Sequence, residues 1–166
     1  MAIDELCARC PWWRYSGLSI SPCVIRHPSK EMRKMNNDEA EIRVLIECWA
    51  QAVHAADMDG VLVDHSDDIV MFDVPPPNEV RGKAAYRETW PPFFEYQKQG
   101  AVFEIVSLEV TAGNDVAFAH ALLRCGTDEE LKKDPGNRLR LTVGLRKLDG
   151  RWVVAHEHHS FPLPST

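Results

Sequence analysis

The chain contains no apolar run near the ~20 residues that a membrane-spanning helix needs. It also has no internal repeat and no low-complexity tract. The first gap argues against a helical membrane partner, and the second against a repeat architecture. Its first residues lack a basic–apolar–small leader pattern, because Asp4, Glu5 and Arg9 interrupt it, and the expectation is a cytoplasmic protein. Cysteine is sparse and odd in number: five residues, at 7, 10, 23, 48 and 125. An odd set without a leader points to thiols and away from a disulfide framework. Positive charge is also short, with 19 Lys and Arg against 25 Asp and Glu. Residues 1–36 hold six Lys and Arg against three Asp and Glu, so they carry +3 and the remainder carries −9. An acidic main domain argues against a nucleic-acid partner. What is present is ordinary for one globular domain with a real core: 166 residues, 45% apolar and 27% charged.

The chain changes character near Met35. Residues 1–36 show no helical or strand period and carry Pro11, Pro22 and Pro28, so they read as an irregular extension, with Met32 or Met35 as alternative starts. Within them, Cys7-x2-Cys10-x12-Cys23-x3-His27 has the spacing of a zinc finger without a finger's regular apolar positions. Asn36-Asn37-Asp38-Glu39 resembles a capping box. Ile42, Leu45, Ile46, Trp49 and Val53 then recur every three or four residues, which predicts a helix to about Ala56. Asp57 caps a short second helix over Met58–His65. Ile69–Val74 is rich in β-formers and ends at Pro75–Pro77. Arg81-Gly82 opens a third helix, Lys83–Trp90. Pro91-Pro92 break it, and Phe93–Gln97 form a further turn. Four hairpin-style strands follow, near Val102–Thr111, Asp115–Cys125, Arg138–Lys147 and Arg151–Phe161, with turns at Gly113-Asn114-Asp115 and Asp149-Gly150. Thr127–Asn137 reads as a loop. Helices first and antiparallel strands after means α+β, with the helices on one face of a curved sheet.

An ordered set of short segments carries a resemblance: Asp57-Met58-Asp59-Gly60, Ser66-Asp67-Asp68, Phe72-Asp73, Arg81-Gly82-Lys83-Ala84-Ala85-Tyr86-Arg87, and the closing Gly150-Arg151-Trp152-Val153-Val154-Ala155-His156-Glu157-His158-His159-Ser160. Over roughly Asn37 to Pro164 the chain resembles the ketosteroid-isomerase-like superfamily, with the SnoaL-like polyketide cyclases and nuclear transport factor 2. The resemblance implies a cone-shaped α+β barrel, a mostly antiparallel sheet curved around three N-terminal helices. It implies an apolar pocket at the wide end and a homodimer through the sheet's outer face. The domain division is then 1–36 for the extension and 37–166 for the SnoaL-like domain.

The resemblance also places candidate site residues. Asp73 stands where the isomerases carry their catalytic carboxylate, and burial beside Trp90 and Met71 would make it a better base. Strict alternation puts Trp152, Val154, His156 and His158 on one face of the last strand, with Glu157 and His159 on the other. Hydropathy does not choose between the faces. The family register turns His156 and His158 toward the pocket, and likewise His120, between Phe118 and Leu122. Glu157 and His159 are left for solvent or a dimer face. The His-x-His pair, completed by His120 or Asp73, is also a candidate metal set, although the resemblance implies no metal. Trp49, Trp90 and Phe94 would shape an aromatic wall with Met71 and Val143. The isomerase's oxyanion donors are missing: their positions match Trp49 and Val143 (or Gly144), and valine has no donor. A standard steroid Δ-isomerase is therefore excluded.

These readings converge on a small-molecule pocket protein without a cofactor. As an enzyme it would be an acid–base isomerase, cyclase or hydratase on a small apolar substrate, with Asp73 as base and His156, His158 or His120 as donor. The alternative is a non-catalytic ligand-binding or subunit-assembly domain of the same fold.

Overall fold

The computed structural model describes residues 30–163, with side chains from Asn37 onward. The zinc-type spacing lies outside the described residues. Helix α1 runs over Lys30–His54 and so begins upstream of the expected cap. Asp38, inside the helix, has another task. It is buried, and its Oδ1 accepts hydrogen bonds from Lys147 Nζ at 2.6 Å and Trp152 Nε1 at 3.2 Å. The apolar face of α1 is the one its spacing predicts. Ile42, Ile46 and Val53 are at most 1% exposed, each such burial being worth about 1.5–3 kcal/mol.

Asp57 caps helix α2, Met58–Leu62, by accepting from the Gly60 N–H. Helices α3, Lys83–Arg87, and α4, Trp90–Gln97, divide the segment around the prolines differently from the sequence reading. Thr89 is the N-cap of α4, so Pro91 and Pro92 fall in its first turn. There a missing N–H breaks no intrahelical bond; the further turn expected over Phe93–Gln97 is the body of α4, and Trp90 opens that helix where the sequence reading had it close the one before. The expected loop after Gly126 also contains a helix, α5, Asp128–Lys133, opened by a Thr127/Glu130 capping box.

The strands are β1 (His65–Phe72), β2 (Val80–Arg81), β3 (Val102–Ala112), β4 (Val116–Gly126), β5 (Leu139–Leu148) and β6 (Arg151–Ser160). They form one mixed sheet in the order β2-β1-β6-β5-β4-β3. All neighbours pair antiparallel except β1 and β6, which are parallel. The sheet curves around the helices but stays open, with β2 and β3 as its two edges.

Two strands settle which side chains face the hollow. On β4, Ala117, Ala119, Ala121 and Leu123 are the buried set. The larger Phe118 and Leu122, with His120 between them, are therefore turned outward, opposite to expectation. On β6 the pairing slips. Val154 opposes Leu145, yet His156 opposes Gly144, so Ala155 is an extra residue in a β-bulge. Gly144 suits this site, because a Cβ there would stand 3.2 Å from the His156 Cβ. Trp152 and Val154 face the core before the bulge, and Glu157 and His159 face it after.

Candidate functional site

A cavity of about 500 Å³ opens between the sheet and helices α4 and α5. Its walls are largely aromatic, from Trp90, Phe93, Tyr96, Phe103 and Phe161. Asp73 and His159 bring polar atoms to the same wall. Asp73 follows β1 directly and shares the inward side of Ile69 and Met71, while His159 arrives from β6 because of the bulge.

Asp73 Oδ1 lies 3.2 Å from His159 Nδ1 and accepts the Val74 N–H at 2.8 Å. The other imidazole nitrogen, His159 Nε2, stands 3.6 Å from Glu157 Oε2, within ion-pair reach. Glu157 is 1% exposed and is the centre of a buried cluster. The Tyr86 hydroxyl donates to it, 3.0 and 3.1 Å from its two oxygens, and His65 Nε2 lies 2.7 Å from Oε1. The Tyr86 hydroxyl in turn accepts from Trp49 Nε1 at 3.2 Å. The proton order follows from donor capacity: indole gives to phenol, and phenol gives to carboxylate. A carboxylate beside His65 Nε2 places that ring's proton on Nε2.

Burial opposes charge on Asp73, but the His159 hydrogen bond and charge, with the Val74 N–H, outweigh it and hold the carboxyl below its ordinary range. Burial likewise opposes a charged His159. The bond to Asp73 and the fields of Glu157 and Asp73 prevail, so His159 keeps its proton to higher pH than an ordinary histidine. Burial, then the Glu157 charge, lifts the Tyr86 phenol well above its usual value, so it remains a donor. Cys125, also on the wall, is pushed up to about 12 by burial and by Glu130 and Asp73, and it stays a thiol. The site thus sets a carboxylate beside an imidazole biased toward its protonated form, with a second carboxylate behind the imidazole.

The model of the SnoaL-like domain matches residues 42–164. The chain belongs to the SnoaL-like family. Among solved structures, this SnoaL-like chain is similar to an NTF2-like protein of unknown function from Pseudomonas putida KT2440. The two share 40% identity over 78% of this chain and 91% of that one, with a TM-score of 0.70. An NTF2-like protein with a cystatin-like fold from Novosphingobium aromaticivorans shares 18% identity over 81% and 87% of the two chains, at TM-score 0.64. A ketosteroid isomerase-like protein from Erwinia carotovora atroseptica shares 21% over 78% and 99%, at 0.58. At those identities the last two show the fold alone. No curated protein sequence matches the chain.

The SnoaL-like frame brings some expected residues together and separates others. Asp73 and Trp90 line the cavity. Trp49 lies one layer back, stacked on His159 and edge-on to Trp90 and Phe103. Met71 and Val143 are buried in the core without reaching the wall. Phe94 stacks on Trp90, and its neighbour Phe93 takes the wall position. The expectation for three histidines is corrected. His156 and His158 flank Phe72 on the opposite face, with His156 Nδ1 on the Val70 carbonyl, and His158 is exposed. His120 is also exposed, stacked on Phe118. The candidate His-x-His metal set therefore does not meet Asp73, and among the described residues no group of three His, Cys, Asp or Glu is placed to hold a metal ion. No described helix is long and apolar enough to cross a membrane.

The residues that sequence reasoning missed are His159, Glu157, Tyr86 and His65. The available signal was weak: two polar residues on alternate positions of the last strand, set aside because the family register turned the other face of that strand inward.

Proposed function

We propose that the cavity binds a small molecule and that the chain is a proton-transfer enzyme of the isomerase, cyclase or hydratase type. The observation that carries this reading is the Asp73–His159 pair on an aromatic-lined wall, backed by buried Glu157. Asp73 takes a proton from a carbon next to a carbonyl. The electron pair moves onto the carbonyl oxygen, and the proton returns to another carbon or leaves with a hydroxyl. His159 fixes the carboxylate and balances its charge. The hydroxyls of Thr89 and Tyr96 are bonded to the Tyr86 carbonyl and to Glu130. The Asn137 amide and the Trp90 indole N–H, which is buried without a hydrogen-bond acceptor among the described residues, are thus the lining donors left for the developing oxyanion.

The test is hydrogen–deuterium exchange at the α-carbons of 2-cyclohexenone, 1-tetralone and 2-tetralone in D2O, followed by proton NMR. The protein should accelerate exchange of at least one ketone, and Asp73→Asn should slow it at least 100-fold. Exchange at the buffer rate for all three would sink the catalytic reading.

A second reading, a ligand-binding domain without turnover, has its own support. The His159 bond that organises Asp73 also lowers its basicity. The outer sheet face supports the homodimer as well, since Phe72, Val116, Phe118 and Leu122 are all more than a third exposed there.

A further inference from the structure

The charges around the cavity are unequal, and the inequality restricts what enters. Asp73 and Glu130 lie on the wall and Glu157 stands behind it, while His159 is the one basic group. No Lys or Arg is among the lining residues. His159 already sits between two carboxylates, at 3.2 Å from Asp73 and 3.6 Å from Glu157. An entering carboxylate or phosphate would therefore meet surplus negative charge, with no free cation to offset its lost hydration.

The wall offers acceptors and ring faces instead. Both hydrogen bonds to the Asp73 carboxylate fall on Oδ1. Among the described residues no donor reaches Oδ2. Asp73 keeps 23% of its side chain exposed, so Oδ2 is open to a ligand's donor. The ring faces of Trp90, Phe93, Tyr96, Phe103 and Phe161 suit a flat apolar body, and they attract positive charge. A volume of about 500 Å³ is ample for a fused bicyclic ring.

We propose that the cavity selects ring compounds that are uncharged or cationic and that donate a hydrogen bond to Asp73 Oδ2, and that it rejects carboxylates and phosphates. This proposal rests on the ligand-binding half of the proposed function and not on its catalytic half.

The experiment compares three probes of one shape by titration calorimetry at pH 7: 2-naphthylmethanol, 2-naphthylmethylamine and 2-naphthoate. The alcohol or the amine should bind at least tenfold more tightly than the carboxylate. In Asp73→Asn the gap should shrink below threefold, chiefly through tighter naphthoate binding. Naphthoate binding as well as either of the others would overturn the proposal, and so would no binding of any probe at 1 mM. The wild-type order decides the matter even if the variant fails to fold. Catalysis is judged separately, because a naphthoate preference would leave the ketone exchange test untouched, and failed exchange would leave this ranking untouched.

Discussion

Removing one oxygen from Tyr86 should unsettle the whole buried cluster. Tyr86 is fully buried, and its hydroxyl joins Trp49 Nε1 at 3.2 Å to the Glu157 carboxylate at 3.0 Å. Tyr86→Phe keeps the ring, its 4.7 Å stack on His65 and its edge contact with Trp90. It deletes a hydrogen bond to a charged group, worth about 1.5–3 kcal/mol, and leaves a buried indole N–H without its acceptor, at about 1–3 kcal/mol. Allowing for local relaxation, the net loss should be about 3 kcal/mol. For a chain of this size that corresponds to a melting temperature lower by about 10 °C. Urea unfolding monitored by circular dichroism gives the free energy directly, and an unchanged m-value would show that the native state keeps its compactness. Combining Tyr86→Phe with Glu157→Gln should give a coupling above about 1 kcal/mol, because the two share one bond. A loss for Tyr86→Phe under about 1 kcal/mol, with no coupling, would refute the idea that this hydroxyl holds the Glu157 carboxylate.

Three further outcomes follow from the same geometry. His159, with its folded-state pKa raised, contributes stability that is complete below its ordinary value of 6.5 and is lost as pH rises through the folded value. Asp73, with its pKa lowered, contributes stability present above its ordinary 3.8 and lost as pH falls through the folded value. Melting temperature should therefore fall between pH 6 and 9 in the wild type and fall less in His159→Gln; parallel curves would contradict the assignment. In the ketone exchange assay, His159→Gln should lose at least tenfold, whereas His158→Gln and His156→Gln should stay within twofold, and equal losses would mean the faces are misassigned. Phe118→Lys places a charge on the exposed outer strand, so sedimentation equilibrium should show a dimer for the wild type and a monomer for the variant, with a monomeric wild type refuting the outer-face interface.

The architecture was legible because it rests on periodicity and turn chemistry. The spacing of Ile42, Ile46, Trp49 and Val53 named the buried face of α1 correctly. Asp149-Gly150 marked the β5–β6 hairpin, whose two residues have φ values of 50° and 81°. The prolines after Trp90 marked a new helical turn, but the boundary was set too late, since a first turn accommodates proline and Trp90 belongs to the helix that they open. The site was legible only in part. Asp73 lies before the irregular Pro-rich loop on a strand of plain alternation at its end, so its inward direction could be read. The partner histidine could not, because parity on β6 depends on a bulge that leaves no apolar signature. His120 was misplaced as well: the family register set it inward with its neighbours Phe118 and Leu122, whereas Ala117, Ala119 and Ala121 are the buried residues.

The bulge at Ala155 has a consequence for descent within the family. Were that extra residue drawn back into the pleat, His156 and His158 would turn toward the hollow, while Glu157 and His159 would leave it. One codon of slack therefore separates two different sets of ionisable groups on the same backbone path. A chain of this fold without that slack would present another chemistry from nearly the same letters.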